Sequence, residues 1–460
     1  MASSVTRRGL LQGALAGSAG LVTLPGRARA ARPKSGRPNI VLVLTDQQSE
    51  RTMGLHGFST CETPAMDRLV AGGRSFVKSY CTDPTCVPAR AGLFTGRHSC
   101  EHGSLINTLS VRDDVPDLGQ WLAAYSDYDA TYMGKWHVRG RDVTRSFDMM
   151  AQQSEAGENC DVPLIRAFEG YLMGRAPGRP FFAVVSLYNP HDVVHTVADL
   201  GSDASFDALG IPADEYPALP PNFFVPSAEP ALVQRTLRLS TRDTAWPREK
   251  WAVYRWWYDR QMEAVDGCVD RLLDLLWNSR FRDDTVVIFT SDHGDNLGEH
   301  MLVHKQSLYE ASVKVPMVLA WPGQWDAVGV DTEHLVSGLD VVPTVCELAG
   351  IAPPPLQRGR SLVPLMEGSG SGWRESLQVQ SYVEGRALMR GDFKYITYRD
   401  DPKEFLFDVR QDPWELQDLA EDAAHASTLA DLRQEQQDYE DTLEHTALSL
   451  EGYDAAVAAG

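Results

Sequence analysis

The stretch Ile40-Val41-Leu42-Val43-Leu44-Thr45-Asp46-Gln47-Gln48 opens with a continuous apolar run and stops at polar residues. A run this short and unbroken predicts a strand buried on both faces, as in a parallel sheet. Working outward, Tyr132-Met133 closes a second strand ahead of Gly134-Lys135-Trp136-His137. Phe181 to Leu187 makes a third ahead of Asn189-Pro190-His191. Val286 to Thr290 makes a fourth ahead of Ser291-Asp292-His293-Gly294, and Val315 to Trp321 a fifth, closed by Pro322-Gly323. Helical patterns lie between them. Tyr254 to Leu276 carries Val265, Val269, Leu272, Leu273 and Leu276 on one face, and Leu335 to Leu348 is another such segment. Strands alternating with helices predict an α/β fold, a large mainly parallel sheet flanked by helices.

The rest of the chain frames this core. Its 460 residues, 43% hydrophobic and 23% charged, suit a large enzyme of one big domain or two coupled ones. A formal net charge of −20 excludes long-range attraction to nucleic acid or anionic membranes, so an anionic substrate would need a local positive pocket. Arg7-Arg8-Gly9-Leu10-Leu11 reads as a twin-arginine signal, followed by an apolar stretch to Leu24 and a small-x-small site at Ala28-Arg29-Ala30. Residues 1–30 are therefore expected to be a signal peptide for the twin-arginine translocase, which carries folded cargo to the periplasm or beyond. Residues 196–250 read as a long insertion over the sheet. Gly368-Ser369-Gly370-Ser371-Gly372 reads as a flexible linker. It is expected to separate a catalytic domain over 38–367 from a smaller C-terminal α+β subdomain over 373–450. That subdomain should hold a small antiparallel sheet, with strands near 377–398, and a terminal helix over 423–448.

The polar residues gather where the strands end. Asp46, His137, His191 and Asp292 each follow a strand, and in open α/β sheets ligands bind at that edge. Cys86-Val87-Pro88-Ala89-Arg90-Ala91-Gly92-Leu93-Phe94-Thr95-Gly96-Arg97 adds a thiol. Pro88 suits a first helical turn, so Cys86 should lie at a helix N-terminus, where anions are favoured and a thiol pKa falls. Seven cysteines leave at least one unpaired, and without paired C-x-x-C units a structural zinc site is not expected. Spacing alone does not separate a reactive Cys86 thiol from a disulfide with Cys81 or Cys100. Cys268 and Cys346 should be buried and inert.

The Cys86–Arg97 string resembles the sulfatase signature, with Cys86, Pro88, Arg90, Leu93, Thr95, Gly96 and Arg97 all fitting and Ala89 where serine is commoner. The resemblance extends from about Pro38 to Leu419. It includes Thr45-Asp46, Thr63-Pro64, His102-Gly103, Gly134-Lys135-Trp136-His137, Asn189-Pro190-His191, Ser291-Asp292-His293-Gly294, His304-Lys305, Tyr309-Glu310 and Asp340 to Thr344. It implies an alkaline phosphatase-like sandwich and a sulfuric ester hydrolase. The substrate would be a sulfate monoester of a carbohydrate, aryl or small alkyl alcohol.

The resemblance also implies a mechanism. Cys86 would be oxidised to formylglycine by a maturation enzyme, and the aldehyde hydrated to a diol that attacks sulfur and later eliminates sulfate. Asp46, Gln47, Asp292 and His293 would hold a divalent metal beside residue 86. Calcium is expected, with manganese or magnesium as alternatives. Gln47 departs from the commoner second Asp, and His293 from a frequent Asn. Arg90 and Lys135 would hold the nucleophile and its charge. His137 would take the diol proton, His191 would be the general acid, and Lys305 would bind a sulfate oxygen, with His304 contacting the leaving group. Three other readings stay open: a phosphonate monoester or phosphodiester hydrolase using the same site, a silent binding relative, and a thiol redox protein. The substrate's alcohol and the oligomeric state are not legible.

Overall fold

The structure, a computed structural model, describes residues 36–57, 61–152, 156–195, 212, 215–231, 233–234, 246–325, 327–381 and 385–445. The expected signal peptide and most of the expected insertion over 196–250 lie outside these residues. Among the described residues no helix is long and apolar enough to cross a membrane.

The run that opened the analysis is β1, Asn39–Asp46, buried along its whole length. The other strands of the main sheet are β2 (Gly73–Phe76), β3 (Asp129–Gly134), β4 (Asp148–Gln152), β5 (Phe181–Pro190), β6 (Thr285–Ser291), β7 (Met317–Ala320) and β8 (Gly329–Asp331). They form one eight-stranded sheet in the order β4-β3-β5-β1-β6-β7-β2-β8. β1 pairs in parallel with β5 on one side and β6 on the other. β7 is antiparallel to both of its neighbours.

Side-chain alternation on β1 builds the layers. Val41 and Val43 join the core under α1 (Pro64–Ala71), α4 (Gly157–Gly174) and α5 (Arg248–Trp277). Ile40, Leu42 and Leu44 join the opposite core under α2 (Cys86–Thr95), α3 (Leu118–Tyr125) and α6 (Val341–Ala349). Each of these side chains is at most 1% exposed, so each contributes about 1.5–3 kcal/mol of burial. A polar residue at any of them would break one layer.

Two helix bounds differ from expectation. α5 begins at Arg248, behind Pro247 as its cap, and Trp251, Tyr254 and Tyr258 extend its buried face. The segment from Leu335 does not start as a helix. Val336-Ser337 pairs in parallel with Ser79-Tyr80, and a reciprocal cap between Ser337 and Asp340 delays the helix to Val341.

The C-terminal part holds an antiparallel sheet of β9 (Ser376–Ser381), β10 (Gly385–Arg390), β11 (Phe393–Tyr398) and β12 (Phe405–Asp408), then α7 (Ala426–Glu440). Across the glycine-serine stretch at 368–372 the two parts share a core. Leu377, Val379, Ala387 and Ile396 pack with Tyr80, Leu302, Leu308 and Val313. Lys394 also pairs with Glu310 at 3.0 Å and Glu415 at 2.8 Å, with all three side chains buried.

Candidate active site

Because β3, β5, β1 and β6 are adjacent and parallel, their carboxyl ends open on one edge. Asp46 closes β1, Lys135 follows β3, His191 follows β5 and Asp292 follows β6. Gly134 permits the closest approach there, at φ +102 with its Cα against the Ser186 carbonyl, where a Cβ would overlap that oxygen. Gln47 and His304 also adopt left-handed backbone, at φ 69 and 58, a strained conformation that aims side chains in ways a strand cannot.

Cys86 is the first residue of α2, as Pro88 indicated, and it is 2% exposed. Neither Cys86 nor Cys81 nor Cys100 is in a disulfide. Lys305 Nζ donates to Cys86 Sγ at 3.0 Å, and His293 Nε2 lies 3.3 Å from it. Burial alone would raise the thiol pKa. Lys305, Lys135 and His293 override it and hold the thiol well below its ordinary value, against the opposing charge of Asp46. The positive end of α2 acts in the same direction. Cys81, by contrast, is pushed well above its ordinary value by burial and Asp83. Burial pushes Cys268 and Cys346 up to about 12, as inert core thiols.

Arg90 is fully buried. It donates to Asp292 Oδ2 and Asp46 Oδ2, each at 2.8 Å, and to Ser186 Oγ and the Lys135 carbonyl. These bonds fix the two carboxylates, and its charge also acts on Cys86. Lys135 Nζ reaches Asp46 Oδ2 at 2.7 Å and lies over the Tyr188 ring. Burial would raise Asp46, but Lys135, His191, Arg90 and Lys305 hold it well below the usual carboxylate range. Burial and the adjacent Asp46 raise Asp292.

One carboxylate oxygen of Asp46, one of Asp292, an imidazole nitrogen of His293 and the Cys86 sulfur all lie within 4.8 Å of one another. Asp46 Oδ1 is buried with no hydrogen-bond partner. A buried carboxylate oxygen left bare costs free energy unless a cation meets it, so this donor set fits a divalent metal. Gln47 stands beside it, its Oε1 accepting from Lys305 Nζ at 2.7 Å.

The histidines divide. His191 packs edge-on to Tyr188 and hydrogen-bonds the Cys86 position. Burial and then Lys305 push it down to about 4, below the near-neutral value expected of a general acid. Burial and Lys305 also push His304 down to about 4. Both keep a buried Nδ1 without a partner. His137 is exposed and forms no hydrogen bond or ion pair among the described residues.

Three residues at the site carried no signal in the sequence pattern. Asp295 accepts from Gln47 Nε2 at 2.7 Å, Tyr254 Oη donates to Asp295 at 2.5 Å, and Tyr258 Oη donates to the Gln47 carbonyl at 2.7 Å. Near the start of α5, Trp251, Tyr254 and Tyr258 are buried, while Trp256 and Trp257 are half-buried.

Comparison with known proteins agrees with this geometry. The sulfatase family model matches residues 38–351, and the model described as N-sulphoglucosamine sulphohydrolase, C-terminal, matches 298–442. The chain is 28% identical to a Delta 4,5-hexuronate-2-O-sulfatase of Bacteroides thetaiotaomicron, covering 89% of this chain and 90% of that protein. It is 27% identical to a choline-sulfatase of Rhizobium meliloti, covering 92% and 89%. A solved 2-O GAG sulfatase superposes with a TM-score of 0.78 at 26% identity, covering 89% of this chain and 95% of that one. The phosphonate monoester hydrolase of Agrobacterium radiobacter, at 22% identity and a TM-score of 0.74, shares the fold. With the strand-end edge, the helix-borne Cys86 and the family model all coinciding, the chain belongs to the sulfatase family, sulfuric ester hydrolases of alkaline phosphatase-like fold.

Proposed function

We propose that this protein hydrolyses sulfate monoesters of a carbohydrate, aryl or small alkyl alcohol, with residue 86 as formylglycine. The observation that carries the reading is Cys86 itself. It is buried at the N-terminus of α2, between Lys305 and His293 and beside two carboxylates. Cys86 Sγ stands in for an oxygen carried on Cβ of the modified residue.

Asp46, Gln47, Asp292 and His293 would hold the metal, calcium first and manganese or magnesium as alternatives. When bound, it supplies Lewis-acid polarisation of a sulfuryl oxygen. Formylglycine supplies an attacking hydroxyl and a second hydroxyl whose deprotonation releases sulfate. The chain's own groups do the rest. Lys135 and Lys305 concentrate positive charge in an otherwise acidic protein and neutralise the sulfate ester. Lys305, already 3.0 Å from Sγ, is placed to stabilise charge developing on the sulfate and on the departing oxygen. His191 is neutral in the free site. A bound sulfate offsets the Lys305 cation that depresses it, raising its proton affinity where the alcohol leaves. His304 faces the same region. Arg90 holds the two carboxylates in register.

Export through the twin-arginine translocase to the periplasm or beyond, after cytoplasmic modification by a formylglycine-generating enzyme, completes the reading. Peptide mass spectrometry across residue 86, after co-expression with such an enzyme, tests it. Formylglycine should accompany activity, and an unmodified cysteine in fully active protein overturns the mechanism. Turnover on matched aryl sulfate and aryl phosphonate esters tests the substrate, and a strong phosphonate preference overturns the sulfatase assignment.

A further inference from the structure

We propose that Asp295 is a positioning residue that decides which end of the Gln47 side chain faces the metal site. The inference rests on the metal centre of the reading above.

The backbone of Gln47 is pinned. Its N–H donates to Asp292 Oδ1 at 3.1 Å, and its carbonyl accepts from Tyr258 Oη at 2.7 Å. The freedom left to it is the orientation of the terminal amide. At one end Nε2 donates to Asp295 Oδ2 at 2.7 Å. At the other, Oε1 accepts from Lys305 Nζ at 2.7 Å, and that ammonium also donates to Cys86 Sγ. An amide has one donating and one accepting end. Reversed, it would set an oxygen against a carboxylate and an NH2 against an ammonium. Only the observed orientation satisfies both neighbours, and it presents oxygen on the side of Cys86.

Asp295 is itself fixed. It is fully buried, and its Oδ1 accepts from Tyr254 Oη at 2.5 Å and from the Leu297 N–H at 2.8 Å. Tyr254 Oη accepts in turn from the His304 N–H at 3.2 Å. The chain Tyr254–Asp295–Gln47–Lys305 thus runs from the core helix α5 to the nucleophile. It also accounts for the amide at position 47. A carboxylate there would oppose Asp295 in a buried place, where like charges disfavour ionisation.

Two isosteric substitutions test the idea, read by calcium and manganese affinity of the full chain in competition with a fluorescent chelator. In Asp295→Asn the remaining oxygen stays with Tyr254 and Leu297, so the new NH2 faces Gln47. The Gln47 amide then turns, and metal affinity should fall by roughly 10- to 100-fold, as for other supports of metal ligands. Gln47→Glu should restore affinity in the Asp295→Asn background, because the carboxylate accepts from the new NH2. It should bring no gain in the wild-type background, where the carboxylate faces Asp295. An equal effect of Gln47→Glu in both backgrounds, or wild-type affinity in Asp295→Asn, overturns the proposal. Thermal unfolding of each variant separates lost affinity from lost fold. If Asp295→Asn does not fold, Tyr254→Phe carries the test. It keeps the ring and loses the hydroxyl, so affinity should drop several-fold, and unchanged affinity overturns the proposal. A wild-type chain that binds neither metal would instead sink the metal centre itself.

Discussion

Replacing Lys394 with Met should be among the most destabilising single changes outside the active site. Lys394 lies on β11 with no exposure, and its ammonium holds Glu310 at 3.0 Å and Glu415 at 2.8 Å. Glu415 also accepts the Glu310 N–H at 2.7 Å, so the two carboxylates stay together when the lysine is gone. The cations left nearby are Lys314, 3.7 Å from Glu310, and the more distant Arg51. Breaking a buried pair from one side leaves uncompensated charge and costs about 3–5 kcal/mol. Urea unfolding of the full chain at pH 8, followed by tryptophan fluorescence, measures it. The pH dependence has a definite sign. Burial already raises Glu415 to about 7 with the lysine present, while Glu310 is held below its ordinary value, against burial, by Lys394 and Lys314, and removing Lys394 raises both carboxylates. A carboxylate whose folded pKa lies above its unfolded value destabilises when ionised, so the deficit is largest above the folded pKa and shrinks as pH falls towards about 4.5. Adding Glu310→Gln and Glu415→Gln should recover most of the loss. A deficit below about 1 kcal/mol, or one that does not shrink between pH 8 and pH 5.5, refutes the account of this cluster.

Glu50 is held down to about 2: burial opposes this, but Lys314 and His56 prevail. Its stabilisation, on the order of 3 kcal/mol, is present above the unfolded value of about 4.5 and lost as pH falls towards 2. Glu50→Gln should therefore cost about 3 kcal/mol at pH 6 and less than half of that at pH 3, by urea unfolding at each. Gly134→Ala, which drives a Cβ into the Ser186 carbonyl at positive φ, should lower the unfolding midpoint and the activity together, and a fully active, equally stable variant would contradict the close packing of β3 on β5. Stripping divalent metal with a chelator should lower the thermal midpoint, and restoring metal to about 100 times its Kd should return roughly 2.7 kcal/mol. An unchanged midpoint would mean that the bare Asp46 oxygen is not a metal ligand.

The core of the fold was legible because it rests on strong local patterns. β1 and β6 carry unbroken apolar runs, β5 one interrupted only by Ser186, and α5 carries a five-residue apolar stripe. What escaped depends on contacts distant in sequence. Nothing local to 317–320 distinguishes the antiparallel β7 from the parallel strands of the sheet, because the sheet and not the segment sets direction. The glycine-serine stretch at 368–372 has a linker's composition, yet its neighbour Trp373 donates to the Leu335 carbonyl at 2.7 Å. At the site, Asp46, Cys86, Asp292, His293 and Lys305 converge as their strand-end and motif positions indicated. The role of Arg90 as a clamp between carboxylates, the exposure of His137 and the support from Asp295 are tertiary facts with no periodic trace.

The central place of β1 in the sheet has a consequence in time. Asn39 on β1 meets Thr285 on β6 across 246 positions of chain. A ribosome adding roughly 5–20 residues per second needs about 10–50 s to make that interval. For most of it Cys86 has been made, while Asp292, His293 and Lys305, which later wall it in, do not yet exist as polypeptide. Translation therefore opens an interval in which the sulfur is reachable by another enzyme, and the arrival of β6 closes it. Slowing synthesis between residues 86 and 285 should raise the converted fraction at residue 86, while accelerating late pairing should lower it.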